Sequence, residues 1–250
     1  MKPLLSERSR LQSRLTLLAL ILIGCKSPSE APVVGSDPVP SHVLWARDLV
    51  DNIEPERNEY GSNPSYVRWA GVDGADEYRN RSVCGTFVTH TLRRAHGFST
   101  SDIDAWFGST SPNAARYHDT IAAEIGFRAI RDVRRIAAGD ILAMKYPDES
   151  APSGHVGILA GPAEERAPTA PLVPGTAQYA IEILDSSSSG HGETDTRRNP
   201  DGSWHDGAGA GVMRLYADED GQIAGYTWSE DPSSVYHPTS DHALIVGRLR

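Results

Sequence analysis

Apolar residues recur at helical spacing in three stretches of the first half of the chain. Ser41 would cap the first helix, and Ser111 followed by a proline would open the third. The second stretch ends at Gly97, a residue type that commonly terminates helices. The predicted helices cover 41–54, 82–96 and 111–125, and the polar, glycine-containing residues between 55 and 82 are expected to be mostly loop.

After residue 139 the pattern changes to short stretches rich in β-forming residues, several of which alternate apolar and polar positions. The Asp-Glu-Asp-Gly sequence at 218–221 lies between two of them, as a hairpin turn would. Helices followed by an antiparallel sheet predict an α+β fold. Six strands are predicted, at 140–146, 155–160, 179–185, 212–217, 223–228 and 243–249.

The amino terminus has the pattern of a secretory signal over residues 1–24, because a basic segment precedes a short apolar run at 15–23. That run is too short to span a membrane as a helix. The Leu-Ile-Gly-Cys sequence at 22–25 resembles the lipobox of bacterial lipoproteins, which implies lipidation of Cys25 and cleavage before it. The alternatives are an uncleaved amphipathic anchor and an ordinary secretory signal.

The residues that follow Cys25 refine this expectation. The segment 25–41 is rich in proline and serine, so we interpret it as an extended tether to a single domain at 42–250. Lys26 in place of an aspartate resembles lipoproteins that are sorted to the outer membrane, where the domain would face the periplasm. The net charge of −9, with no basic block outside the signal, argues against nucleic acid as a partner. We expect a monomer.

The chain has two cysteines, and lipidation of Cys25 would leave Cys84 as a lone thiol in an oxidising compartment. A buried, inert cysteine is one explanation. The other is catalysis, because Cys84 would open the second helix, where unsatisfied N–H groups favour the thiolate. A cysteine nucleophile needs a base. Of the nine histidines, His155 is our candidate, since it would begin a strand after a Pro/Ser/Gly loop.

Three motifs in order, around Cys84, Asp140 and His155, resemble the NlpC-type branch of papain-like cysteine peptidases: Cys-Gly-Thr-Phe-Val at 84–88, Gly-Asp-Ile-Leu at 139–142 and Gly-His-Val-Gly-Ile-Leu-Ala-Gly at 154–161. The resemblance implies a papain-like fold, with the cysteine helix packed on a small antiparallel sheet of about six strands. It also implies hydrolysis of an amide bond, commonly in cell-wall peptides, with no metal and no cofactor. The sequence departs from the family pattern at Val83, Gly85 and Thr86.

The third polar residue of the family site would lie on the strand after His155, and Asp185 occupies the end of that strand. Its carboxylate could hold the His155 tautomer; alternatively, Asp185 is only a turn residue. The oxyanion hole would use the Cys84 N–H and one side-chain donor. Tyr66 is the candidate donor, because it begins a segment resembling one upstream of the family cysteine, and Tyr78 is the alternative.

Residues 186–211 form a long, polar, Gly/Ser-rich stretch that we expect to be a loop over the Cys84–His155 pair. Its candidate substrate-binding residues are His191, Arg197 and Trp204, with Arg197 able to meet a substrate carboxylate. A metal site of His191, Asp195 and His205 is conceivable, but these residues lack compact ligand spacing, and no metal is expected.

The sequence therefore predicts an envelope-anchored cysteine hydrolase that cleaves an amide bond in cell-wall (peptidoglycan) peptides, with Cys84, His155 and Asp185 as its catalytic residues. A transferase that uses the same acyl-enzyme is a variant of this hypothesis. A different hypothesis is a non-catalytic envelope binding lipoprotein on the same fold, in which Cys84 only packs. A toxin-like effector is a third, which the tether argues against.

Overall fold

The computed structural model describes residues 38–147 and 152–250. These residues contain four α-helices and twelve β-strands. Residues Pro38–Arg250 form one compact unit. The predicted signal over 1–24 and the lipidation site Cys25 lie outside the described residues. No helix among the described residues is long and apolar enough to cross a membrane.

The helices are α1 (Ser41–Asn52), α2 (Cys84–His96), α3 (Thr100–Phe107) and α4 (Ala114–Ala122). The predicted first and second helices are present, and Gly97 ends α2 in the left-handed conformation at φ 73°. Ser41 is not a cap: Pro40 holds the cap position of α1 and makes no side-chain cap hydrogen bond. The expected opening of α4 at Ser111 is also wrong, because Asn113 caps this helix by accepting from the Arg116 N–H.

Helix α3 was not predicted, although its start carries a recognisable signal. Ser99 accepts a hydrogen bond from the Asp102 N–H, and the Asp102 carboxylate accepts from the Ser99 N–H in return. This reciprocal pair is a capping box. The helix is only eight residues long, which is too short for its apolar positions to establish a helical period.

Two sheets contain the strands. The bounds are β1 (Asn58–Tyr60), β2 (Tyr66–Arg68), β3 (Arg79–Ser82), β4 (Phe127–Ile130), β5 (Ile141–Lys145), β6 (Val156–Leu159), β7 (Glu164–Arg166), β8 (Ala177–Ser187), β9 (Gly207–Ala217), β10 (Ile223–Thr227), β11 (Tyr236–Pro238) and β12 (Ala243–Leu249). The first sheet has the order β1-β3-β2, in a region expected to be loop.

The large sheet has nine strands in the order β11-β10-β9-β8-β6-β5-β12-β4, with β7 paired to β8. Its pairs are antiparallel. All six predicted strands are present, so the α+β prediction is confirmed, while β4, β7 and β11 extend the sheet beyond the expected six. The turn at 218–221 joins β9 to β10, with the Gly221 N–H donating to the Asp218 carbonyl.

Both faces of the large sheet are buried, and this places the cysteine helix against the histidine strand. Alternate residues of β5 enter two different cores, with Ile141 in one and Leu142 in the other. Phe87 and Val88 of α2 share the first core with Val156 of β6. Because Cys84 begins α2 and His155 directly precedes β6, this packing brings the two ends together.

Candidate active site

Cys84 is the first residue of α2, and its neighbours Val83, Gly85 and Thr86 have local structural roles. The Val83 N–H donates to Thr86 Oγ1 at 3.0 Å, and the Thr86 hydroxyl donates to the Val83 carbonyl at 3.1 Å. Thr86 thus caps the helix with its own side chain. A Cβ at Gly85 would overlap the carbonyl oxygen of Pro112, so the close approach of these two segments requires glycine.

His155 owes its position to the glycine before it. Gly154 has φ +145°, and a Cβ there would overlap the carbonyl oxygen of Met144 on the neighbouring strand. His155 Nε2 donates to Asp185 Oδ2 at 2.6 Å, and the Cys84 side chain is near enough to the ring to contribute to its raised pKa. Since Asp185 occupies Nε2, Nδ1 is the nitrogen left to face the sulfur.

Asp185 is fully buried within β8, which continues to Ser187, so it does not begin a loop. Its Oδ2 also accepts from His191 Nε2 at 2.8 Å. Its Oδ1 forms an ion pair with Arg197 Nη1 at 2.9 Å. This contact is not a hydrogen bond. The carboxylate is therefore held between two histidines and a guanidinium.

A second carboxylate completes this buried layer. Arg197 donates through Nη2 to Asp195 Oδ2 at 2.7 Å and through Nε to Asp195 Oδ1 at 2.9 Å. His191 Nδ1 lies 2.8 Å from the Trp228 carbonyl. Both ring nitrogens of His191 thus face acceptor oxygens. We call His191, Asp195 and Arg197 the buried ion layer.

The ion layer and the sulfur determine the electrostatics of the site. Burial lowers the pKa of His155, but the hydrogen bond and charge of Asp185, together with Cys84, outweigh it and raise this pKa to about 9. Burial raises the pKa of Asp185, but Arg197 and the two histidines hold it well below its usual value. His155 is therefore protonated and Asp185 ionised at neutral pH.

The ion layer corrects two predicted roles. Arg197 is 0% exposed and is engaged by two carboxylates, so it cannot meet a substrate carboxylate. His191 is also buried, behind Asp185. Trp204 is 42% exposed and packs over Gly190. The Arg198 guanidinium lies 5.4 Å from its ring, and Trp204 does not line the cavity that opens beside His155.

The predicted loop at 186–211 is shorter than expected, because β8 and β9 pair as far as Ser187 and Gly207. The Gly-Ala-Gly-Ala-Gly sequence at 207–211 is strand, and its glycines make room for the ion layer. A Cβ at Gly209 would come within 2.5 Å of Arg197 Nε, and one at Gly211 within 2.5 Å of Asp195 Oδ2. The alternating glycines are a sequence signal for this buried layer.

A cavity of about 340 Å³ opens beside His155. Trp228 forms part of its wall, with its ring centroid 4.8 Å from that of His155. Ser188 and Ser189 of the shortened loop also contribute, so part of the expected loop does border the site. The lining residues are Tyr60, Tyr146, Pro152, Gly154, His155, Ser187, Ser188, Ser189, Tyr226, Trp228, His237 and His242.

Tyr60 is one of several lining residues that the sequence did not predict, together with Tyr146, Tyr226, Trp228, His237 and His242. Tyr60 ends β1, and burial together with the charges of Cys84 and Asp185 raises its pKa to about 12. Neither predicted oxyanion donor lines the cavity: the Tyr66 ring lies under the Arg68 guanidinium, and the Tyr78 hydroxyl donates to Asp48 at 3.2 Å.

Among residues 38–147 and 152–250, one set of side chains could hold a metal ion: His155, Asp185 and His191, whose ligand atoms lie within 4.8 Å of one another. Both histidines already donate to Asp185 Oδ2, and Arg197 places a positive charge against the same carboxylate. This set therefore fits a hydrogen-bond network better than a cation. His205 faces the Asp206 carbonyl and does not join it.

Fold and site together define an α+β protein with a buried Cys–His–Asp cluster where a helix meets an antiparallel sheet. The chain belongs to the same family as a protein of Acanthamoeba polyphaga mimivirus described as "Uncharacterized protein R653". The two are 32% identical over 223 residues, which cover 84% of this chain and 96% of the viral protein. No protein-family model and no solved structure matches the chain. The site geometry therefore carries the functional argument.

Proposed function

We propose that this protein is a cysteine hydrolase of the papain-like kind that cleaves an amide bond, with Cys84 as nucleophile and His155 as acid and base. One observation carries the proposal: the thiol at the start of α2 lies close enough to His155 to raise the pKa of its ring, and His155 donates to a buried carboxylate at 2.6 Å. Nucleophile, base and orienting group in sequential contact are the signature of covalent catalysis.

The reaction would begin from a Cys84 thiolate and a His155 imidazolium. The sulfur attacks the carbonyl carbon, and the C–O π pair moves to oxygen. When the tetrahedral intermediate collapses, the C–N bond breaks and His155 gives its proton to the departing amine. A thioester remains on Cys84. Water then attacks the thioester while His155 takes the proton, and the acid is released as the sulfur leaves.

Two donors are available for the oxyanion of this route. The Cys84 N–H belongs to the first turn of α2, where backbone N–H groups have no partner within the helix. Tyr60 lines the cavity beside His155, and its raised pKa of about 12 keeps its hydroxyl protonated. Tyr60 therefore replaces Tyr66 as the proposed side-chain donor.

The proposal extends to location and substrate through the sequence. Lipid on Cys25 would hold the enzyme at the bacterial cell envelope, with the domain facing the periplasm from the outer membrane. Peptides of the cell wall are the amide substrates within its reach. These two parts rest on the resemblance of the sequence to bacterial lipoproteins and NlpC-type peptidases.

The test combines alkylation and turnover. Iodoacetamide should modify Cys84, as read by peptide mass, and the modification should abolish release of products from cell-wall fragments. Cys84→Ala and His155→Ala should both be inactive while remaining folded by circular dichroism. A thiol with ordinary slow reactivity, or full turnover by Cys84→Ala, would contradict the proposal and favour the non-catalytic binding protein.

A further inference from the structure

The wall of the cavity beside His155 is unusual in its charge. None of the described residues that line it is an aspartate, glutamate, lysine or arginine. The chain as a whole has 57 such residues out of 250, made up of 24 basic and 33 acidic ones. The described wall instead carries aromatic rings, serines and histidines, and the positive charge of His155 is already paired with Asp185 at 2.6 Å. The wall can therefore pack against a substrate and donate hydrogen bonds to it without offering an unpaired charge.

From this wall we infer that the enzyme takes amides whose acyl part is uncharged, and that it rejects those whose acyl side chain carries a carboxylate. The inference rests on the proposed function, since it describes what lies next to the scissile bond. It narrows the cell-wall peptides to those with amidated or otherwise neutral residues at this position.

The first argument is the lack of a free counter-ion. Arg197 is the arginine that faces the proposed catalytic carboxylate, and it is fully buried and paired to both Asp185 and Asp195. A substrate carboxylate in the cavity would lose hydration without gaining an ion pair from the wall. His155 is protonated, but its positive charge is already paired with Asp185 at 2.6 Å.

Second, three polar groups of the wall are neutral at pH 7: the hydroxyls of Tyr60 and Tyr146 and the imidazole of His237. The pKa of Tyr60 is raised to about 12, chiefly by burial, and burial also raises that of Tyr146. Burial and the neighbouring His242 lower the pKa of His237. These groups therefore act as uncharged hydroxyls and an uncharged imidazole at neutral pH, which suit carbonyl, amide and hydroxyl groups of a ligand.

Third, side-chain contacts hold the part of the wall formed by Tyr146, Tyr226, His237 and His242 rigid. The Tyr226 hydroxyl lies 3.0 Å from His242 Nδ1, and the rings of His237 and His242 stack with centroids 4.5 Å apart. Tyr146 packs on His242 at the same centroid distance of 4.5 Å. The wall thus presents fixed flat faces, and 340 Å³ accommodates a group the size of one or two amino-acid residues.

A matched pair of substrates tests the inference: the 7-amino-4-methylcoumarin amides of benzyloxycarbonyl-glutamine and benzyloxycarbonyl-glutamate, which differ in one charge and scarcely in shape. We expect kcat/KM at least tenfold higher for the glutamine amide. Ser188→Arg places a cation at the exposed edge of the cavity and should shift the ratio towards glutamate, whereas Ser203→Arg, at the far end of the same loop, should leave it unchanged.

The outcomes separate the two proposals. A glutamate amide cleaved as fast as the glutamine amide overturns the substrate class and leaves the hydrolase intact. Failure to cleave either substrate, with Cys84 still alkylated rapidly by iodoacetamide, also overturns the substrate class. Failure of both cleavage and alkylation overturns the proposed function itself.

Discussion

The carboxylate of Asp185 separates two regions of opposite character. Behind it lies the buried ion layer, in which His191, Asp195 and Arg197 are nearly inaccessible to solvent and bonded to one another or to Asp185. In front of it lies a cavity whose described wall carries no formal charge apart from His155. The charges of this site are concentrated where neither water nor substrate reaches them.

This difference assigns separate tasks to the two regions. Buried ions tolerate desolvation only when each has its partners, so the ion layer must be complete to be stable. A complete layer fixes the charge and orientation of Asp185, and Asp185 in turn holds His155 protonated. The cavity is then free to bind a substrate without competing for those charges. A change in the ion layer should therefore be detectable as a change in the chemistry or stability of the site.

Asp185→Asn removes the shared charge itself and should have the largest effect. The amide can place an N–H where His155 and His191 both require an acceptor, which favours the wrong tautomer of His155. We expect kcat/KM to fall about 10⁴-fold, the loss that this tautomer error causes in a Ser–His–Asp triad. Asp201→Asn, in an exposed hydrogen bond to Ser203, is the control and should keep full activity. Comparable turnover by both variants would remove Asp185 from the mechanism.

Arg197→Met tests whether the folded state depends on the ion pairs of Arg197 with Asp185 and Asp195. The side chain is 0% exposed, and its loss leaves two carboxylates buried without their common cation. We expect the free energy of unfolding in urea to fall by about 3–5 kcal/mol. The neighbouring Arg198→Met breaks an ion pair to Glu193 that is 30% and 73% exposed, and should cost less than about 1 kcal/mol. Equal losses would mean that burial does not distinguish the two pairs.

The proximity of the three proposed catalytic residues was predictable because each signal is local. Cys84 opens a helix that its own period defines, and His155 and Asp185 lie at the ends of β-forming stretches. Tyr60 was not predictable, because it reaches the site through the parallel pairing of β1 with β3, which joins residues 22 positions apart. That pairing involves only three residues on β1, too few to show a period.

The ion layer was missed for a different reason. Glycine is disfavoured in strands, so the three glycines at 207–211 favour the prediction of a loop there. In the structure its glycines face the side chains of Arg197 and Asp195, and a larger residue would displace them. The alternation of glycine with alanine was therefore the sequence signal for the ion layer. It can be interpreted only when the neighbouring strand β8 is known to carry the buried carboxylate of Asp185.

The pH profile tests the link between the two regions without a substitution. Asp185 and Cys84 raise the pKa of His155 from 6.5 to about 9 despite burial. Protonation of His155 therefore stabilises the folded state fully below pH 6.5, and this contribution is lost as the pH rises towards 9. Activity should fall about tenfold for each pH unit above 9, because the proton for the departing amine is then missing.

Proton NMR of the His155 ring checks this assignment directly. Cys84→Ala removes one of the groups that raise the pKa while keeping Asp185, so the ring should titrate at a lower pH than in the natural protein. A ring that titrates near 6.5 in both proteins would show that the buried carboxylate does not control its charge.

His191→Leu should give the smallest effect, because Asp185 keeps its contacts with His155 and Arg197. The variant loses the hydrogen bonds of His191 to Asp185 at 2.8 Å and to the Trp228 carbonyl at 2.8 Å. We expect kcat to fall about fivefold, the equivalent of one hydrogen bond of about 1 kcal/mol, with KM nearly unchanged, since the ring does not line the cavity. His191→Gln keeps a donor and should restore part of the loss, while His205→Gln, elsewhere on the loop, should have no effect. A change in KM alone would place His191 on the cavity side of Asp185 and would break the division between a charged interior and an uncharged binding wall.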